Sequence, residues 1–285
     1  MTYQCFDVSI EADIAHVRLS RPEKRNSMIP EFWDELPQIV ADIDDNSRAR
    51  VIVISSAGPH FSAGLDLNSF IAGGDEAEQA DPDPDPEPEH KLTRGEGFYR
   101  TVKRMQHTFS CLEDCRLPVL VAIQGGCIGG GMDFVTACDI RYATADAFFT
   151  IYEVKIGMTA DVGTFPRLVK LIPEGIVREL AYTGRRMSAA EAHQTGLVNQ
   201  VFDDHESLLK AVMEVATEIA ANAPLAVYGS KRMINYARDH STADSLDYVG
   251  IWNASFLQPA EMMEAITANS EKRPGKFASL PKKGR

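Results

Sequence analysis

The chain has 285 residues, of which 44% are apolar and 25% charged, a balance that suits a globular protein with enough length for a sizeable core. Its net charge of −12 is concentrated in one place: Asp75 to Glu89 holds eight acids and no Lys or Arg, leaving 33 acids against 29 bases elsewhere. This excludes the basic face that nucleic acid demands, and no apolar run approaches the length of a membrane span.

Taken in order, Phe6–Ile10 and Ala15–Leu19 alternate as strands around the turn Glu11-Ala12-Asp13 and predict an opening hairpin. Arg21-Pro22-Glu23-Lys24-Arg25-Asn26 follows as a charged turn. Pro30 to Ile43 has a helical apolar stripe (Phe32, Leu36, Ile39, Val40, Ile43) with Pro37 awkwardly inside it. Val51–Ile54 reads as a buried strand, so strand, helix and strand imply a parallel pair with a crossover. The loop Phe61-Ser62-Ala63-Gly64-Leu65-Asp66 comes next.

Between 73 and 90 the sequence alternates acid and proline, as in Asp81-Pro82-Asp83-Pro84-Asp85-Pro86-Glu87-Pro88. Such a run reads as an extended, mobile insertion that neither builds helix nor buries surface. Phe98, Val102, Met105, Phe109 and Leu112 then mark a helix over 92–112.

At the centre of the chain the apolar strand Val119–Ile123 runs into Gly125-Gly126 and Gly129-Gly130-Gly131, and then into helix-compatible Met132–Ala137. A strand, a glycine turn and a helix start leave backbone N–H groups pointing outward without helical partners, an arrangement that can hold an oxyanion. Three acids follow the turn: Asp133 just inside the helix, Glu153 among Ile151, Tyr152 and Val154, and Asp161 in Ala160-Asp161-Val162-Gly163-Thr164. Acids in apolar surroundings have the raised pKa values that proton transfer requires, although each alone also reads as a cap or a solvated loop acid. Helices are expected over 162–171 and 173–182, a capping box at Ser188 with Glu191, a short strand near 196–199, and helices over 208–221, 224–237, 241–256 and 261–270.

In combination, Gly129-Gly130-Gly131-Met132-Asp133 after an apolar strand, Glu153, and Phe61–Asp66 closely resemble the enoyl-CoA hydratase/isomerase (crotonase) superfamily. The runs Cys127–Gly131, Ala137–Tyr142, Asp146–Phe149 and Ala160–Thr164 resemble its Δ3,5-Δ2,4-dienoyl-CoA isomerase branch, which carries aspartate where hydratases usually have glycine at 161. The resemblance implies an α/β fold: a crotonase-like ββα-repeat spiral core over 1–202, containing the 73–90 insertion, and a C-terminal helical oligomerisation region over 203–285. It implies a homotrimer or dimer of trimers acting on an acyl-CoA thioester in fatty-acid β-oxidation, with no cofactor and no metal. By the same resemblance, the Leu65 and Gly130 amides form the oxyanion hole. Glu153 takes the C2 proton of a 3,5-dienoyl-CoA, Asp161 delivers one at C6, and Asp133 tunes Glu153. Lys24, Arg25, Ala63, Asp66 and Gly129 are expected near substrate or CoA, Lys231 and the basic tail more loosely so. For Lys24 and Arg25 a plain charged turn is an equal reading. The alternatives are an enoyl-CoA hydratase working through Asp133 and Glu153, and a non-catalytic acyl-CoA-binding protein.

Five cysteines, an odd count, read as reduced packing thiols rather than a disulfide framework, and Cys111 with Cys115 lacks the second ligand pair of a metal site. The start shows neither a basic leader nor an apolar h-region, and Lys282-Lys283-Gly284-Arg285 is no peroxisomal address, so a cytoplasmic protein is expected.

Overall fold

The computed structural model describes residues 3–69 and 88–284. Strands β1 (Phe6–Glu11) and β2 (Ile14–Leu19) form the expected antiparallel hairpin. Helix α1 (Pro30–Asp45) then crosses over to β3 (Val51–Ser56), which pairs with β2 in parallel. Helix α2 (Pro88–Asp114) leads into β4 (Val119–Ile123) and β5 (Gly126–Ile128), followed by α3 (Gly130–Ala137). The unit repeats as β6 (Ile140–Thr144), β7 (Phe148–Thr150), α4 (Thr164–Leu168) and α5 (Glu174–Thr183), then β8 (Met187–Ser188), α6 (Ala189–Thr195) and β9 (Gln200–Phe202). Helices α7 (His205–Ala220), α8 (Pro224–Ala237), α9 (Thr242–Phe256) and α10 (Pro259–Glu271) follow.

The ββα repeat has a simple geometric meaning. The six-stranded sheet runs β1-β2-β3-β4-β6-β9 and a smaller one runs β5-β7-β8, so the pairs β4–β5 and β6–β7 each place one strand in each sheet, while β1 and β2 both lie in the large one. The β3 and β4 strands are buried on both faces, as their unbroken apolar runs require. Ile52, Ile54, Val119, Val121 and Ile123 pack with the α1 stripe on one face. Val51, Val53, Leu120 and Ala122 meet Leu208, Val212 and Ala216 of α7 on the other. Helix α7 is therefore one layer of the core, and the expected boundary at 202 separates it from the face it covers.

Several expectations shift in detail. The acid–proline run falls largely outside the described residues, but its end does not: α2 starts at Pro88, where a proline's missing N–H would have no intrahelical partner anyway. The last core strand begins at Gln200, because Gly196 takes φ +88° to close α6 and Asn199 is already bonded to Arg141. The capping box at Ser188 is half made. Its Oγ accepts the Glu191 N–H at 3.2 Å, while the Glu191 carboxylate is held by Arg185 at 2.6 and 2.9 Å.

Lys231 is also corrected. Its ammonium is buried, 2.9 Å from Asp139, and donates to the Leu112 and Leu117 carbonyls at 2.6 and 2.8 Å. It ties α8 to the α2–β4 connection and is not available to a ligand. All five cysteines are buried free thiols; those of Cys111 and Cys115 donate to main-chain carbonyls.

Pro37 is accommodated by a specific replacement. A proline at 37 deprives the Trp33 carbonyl of its helical donor, and the Thr108 hydroxyl of α2 donates to that carbonyl at 2.8 Å. Thr108 is fully buried beside the aromatic cluster of Phe32, Trp33, Phe109 and Phe134. Thr108→Val keeps the shape but orphans the carbonyl, and should cost about 1–3 kcal/mol in denaturant unfolding. In a Pro37→Ala background, which restores the amide, the same substitution should cost clearly less; equal costs in both backgrounds would refute the replacement.

Candidate active site

Two segments far apart in sequence meet to build the site. The loop Phe61–Asp66 runs beside the strand β5 and its turn, joined by Phe61 N–H to Gln124 O (2.8 Å), Ser62 N–H to Gly126 O (3.1 Å) and Ile128 N–H to Ser62 O (3.1 Å). A second parallel bridge, Met28 with Leu65, uses the Gly64 carbonyl and the Asp66 N–H. The Leu65 N–H is therefore turned the other way. Neither it nor the Gly130 N–H has an acceptor among the described residues.

These two amides are neighbours. A methyl group placed on Gly130 would lie 3.6 Å from the Leu65 nitrogen, and one placed on Gly64 would lie 2.9 Å from the Gly130 nitrogen and 2.6 Å from the Ile128 carbonyl oxygen. Gly64, at φ +79°, thus fits where any side chain would wedge the pair apart. Gly129, at φ +53°, ends the turn so that Gly130 opens α3, and its open side faces the Glu153 carboxylate, 3.1 Å from where a Cβ would stand.

The amide pair opens into an apolar cleft lined by Ala63, Leu65, Met105, Gly129 and Gly130, and all three acids, Asp133, Glu153 and Asp161, reach it. Leu67, Phe98, Tyr152 and Ile156 stand exposed along its rim, an apolar surface large enough to point to a bound chain. A second cavity, sharing Asp161 and Val162 with the first, is lined mostly by polar and charged groups such as Gln106, Ser110, Arg167 and Asn235.

All three acids have raised pKa values, with burial the largest cause in each. Asp133 is wholly buried, and desolvation followed by the charge of Glu153 lifts its pKa to about 7, against two opposing hydrogen bonds from Thr164 N–H (2.6 Å) and Oγ1 (2.8 Å). Glu153 is raised by burial and then by the charge of Asp161. Asp161 is raised by burial as well. The Glu153 Oε2 atom is buried without a hydrogen-bond partner among the described residues, so its lone pairs are uncommitted within the site. Among the described residues no group of three His, Cys, Asp or Glu side chains could hold a metal ion.

The family model for enoyl-CoA hydratase/isomerase matches residues 9–94 and 89–280. The chain belongs to this family. It is 42% identical to the mitochondrial Δ3,5-Δ2,4-dienoyl-CoA isomerase of Mus musculus over 275 residues, covering 96% of this chain and 81% of that protein. It is 37% identical to the peroxisomal Δ3,5-Δ2,4-dienoyl-CoA isomerase of Arabidopsis thaliana, covering 98% of each. The crystal structure of an enoyl-CoA hydratase from Bacillus anthracis superposes with a TM-score of 0.84 at 28% identity, covering 97% of this chain and 100% of that one. The crotonase-type α/β fold that the resemblance implies is thereby established.

The other expected contacts divide within this family member. Ala63 and Gly129 line the cleft. Lys24 and Arg25 are exposed, and no ion pair of either is found among the described residues; the Arg25 carbonyl takes the Ala63 N–H at 2.9 Å, which places this turn at the edge of the site. Asp66 is engaged elsewhere: Ser27 Oγ donates to it at 2.8 Å and Ser69 N–H at 3.1 Å.

Three supports were missed in the sequence. Thr164 was read only as part of a run, with nothing to pair it with Asp133. Asn26, buried at φ +52°, donates to the carbonyls of Ala57 and His60 at 3.0 Å each; its signal was an asparagine suited to a left-handed turn after Arg-Pro. Gln106 donates to the Asp161 carbonyl at 2.7 Å.

Because its pKa is raised, Asp133 binds its proton more tightly in the native than in the unfolded chain. Native stability is therefore full below the ordinary carboxylate range and falls as pH rises toward 7. Asp133→Asn keeps an acceptor for Thr164 and removes the buried charge. Its Tm should exceed that of the parent by several degrees at pH 8, with the margin narrowing toward pH 4.5; a margin independent of pH would contradict the assignment.

Proposed function

We propose that this protein is a Δ3,5-Δ2,4-dienoyl-CoA isomerase. The observation that carries the reading is Asp161, an acid of raised pKa on the same apolar cleft as Glu153 and the amide pair. A simple hydration needs acids converging near C2 and C3 of the substrate. A second acid displaced along the cleft suits proton delivery at the far end of a conjugated system.

The thioester oxygen accepts the Leu65 and Gly130 N–H groups. Each such donor is worth roughly 3 kcal/mol when aimed at developing charge. Glu153, whose Oε2 has no hydrogen-bond partner among the described residues, removes the C2 proton. The negative charge spreads over a dienolate from the oxygen to C6, and Asp161 protonates C6 to leave the 2,4-diene. Burial raises the basicity of the Glu153 carboxylate, and Asp133, whose own pKa the Glu153 charge lifts, assists the proton shift. The hydrogen shift is redox-neutral and uses groups the chain itself supplies, so the reading calls for no cofactor and no metal.

Lys24 and Arg25 serve the CoA phosphates in this account. The exposed apolar residues of the C-terminal helices, among them Leu246, Ile251, Met263 and Ile266, support a trimeric assembly or a dimer of trimers. No described helix is long and apolar enough to cross a membrane. The named relatives are mitochondrial and peroxisomal, and the five buried free thiols of this chain suit a reducing compartment.

The test is the growth of ultraviolet absorbance from conjugated 2,4-dienoyl-CoA on mixing with a 3,5-dienoyl-CoA, run beside a 2-enoyl-CoA. Rapid isomerisation with little hydration is expected; hydration without isomerisation would replace this reading with that of a hydratase. Asp161→Asn and Glu153→Gln should each lose about a hundredfold or more in kcat while still binding the CoA ester, and Asp133→Asn should lose less. Full turnover by Asp161→Asn would remove the basis of the assignment.

A further inference from the structure

The strand β5 carries the second oxyanion donor, since it runs straight into Gly129 and Gly130. On the side facing the Phe61–Asp66 loop it is held by backbone bonds through the Gly126 carbonyl and the Ile128 N–H. The Gly126 N–H is not part of that backbone ladder. It donates instead to Nδ1 of His60 at 3.0 Å. A backbone N–H can only donate, so Nδ1 is the acceptor and the ring proton sits on Nε2.

His60 stands at the head of the other half of the site. Leu65 lies five residues after it, and Gly130 lies four residues after Gly126. The His60 carbonyl is fixed by Asn26 Nδ2 at 3.0 Å and Ser56 Oγ at 3.2 Å, and the ring packs edge-on against Phe148, whose backbone pairs with Gly126. Gly125, at φ +55°, leaves room for the ring: a methyl there would lie 2.7 Å from Nδ1. One imidazole thus spans the two segments whose far ends present the two amides.

We propose that His60 is a positioning residue of the oxyanion site, its Nδ1 fixing β5 relative to the 60–65 loop and so setting the separation of the Leu65 and Gly130 N–H groups. The proposal rests on the reading of those amides as the donors to the thioester oxygen. Because such donors act only within a narrow geometry, a small relative displacement weakens stabilisation of the enolate more than it weakens binding.

The experiment compares His60→Asn, whose Oδ1 can take the place of Nδ1, with His60→Gln, whose acceptor reaches instead to the place of Nε2, and with His60→Leu. Two quantities are read: kcat and KM on a 3,5-dienoyl-CoA, and the red shift of the ultraviolet band of bound 2,4-dienoyl-CoA, which reports polarisation of its carbonyl. His60→Gln and His60→Leu should lose roughly tenfold or more in kcat with KM changed little, and the red shift should shrink. His60→Asn should retain most of both. If His60→Leu fails to fold, the Asn and Gln pair alone decides. Equal loss in Asn and Gln, unchanged kcat in both, or a loss confined to KM would overturn the proposal. A parent protein that does not isomerise the substrate would instead overturn the activity on which it rests.

Discussion

The structure depends on bringing together two backbone amides that lie far apart in sequence. Neither Leu65 nor Gly130 can be recognised by its side chain, so the fold must supply the geometry. It does so by laying the loop after β3 parallel to β5, through the Ser62–Cys127 bridge, and by returning the Arg21–Met28 turn against Leu65. The ββα spiral makes this possible, because β3, β4 and β6 of the large sheet are each followed by a segment that pairs with or joins the small one. Positive φ at Gly64 and Gly129 then lets the chains approach closely without a Cβ between them.

Around that amide pair the protein keeps an electrostatic arrangement that costs stability. Three acids share one apolar cleft, each with its pKa raised, and the deepest, Asp133, is held by only two donors from Thr164. A chain selected for stability alone would not bury a carboxylate so, nor leave Glu153 Oε2 without a partner among the described residues. The cost is carried by a stiff surround: the stacked Phe109 and Phe134 beside Asp133, the α1 stripe, and a sheet covered on both faces.

Much of this was legible in the sequence, for physical reasons. Strands β3 and β4 announce themselves as apolar runs because both their faces are buried, and the hairpin by its alternation around Ala12-Asp13. The glycine turn was visible because close backbone approach demands glycine, whereas Asp161 stood out through the resemblance to the dienoyl isomerase branch and not through its neighbours. What was not legible depends on partners distant in the chain. Nothing local tells that Thr108 replaces the donor missing at Pro37, that Thr164 caps Asp133, that Lys231 is buried against Asp139, or that α7 covers the sheet. Asp66 also holds Ser27 and Ser69, a local use that its position in a family motif concealed.

The account's central claim is that two different carboxylates handle the departing and the arriving hydrogen. It is tested most directly by nuclear magnetic resonance of the product formed in deuterated water from a 3,5-dienoyl-CoA. Deuterium at C6, with none at C4 and no oxygen added at C3, is the predicted result, since the C6 hydrogen comes from Asp161 after exchange with solvent. Intact transfer of the substrate's own C2 hydrogen to C6 would mean that one group does both tasks, and would contradict it.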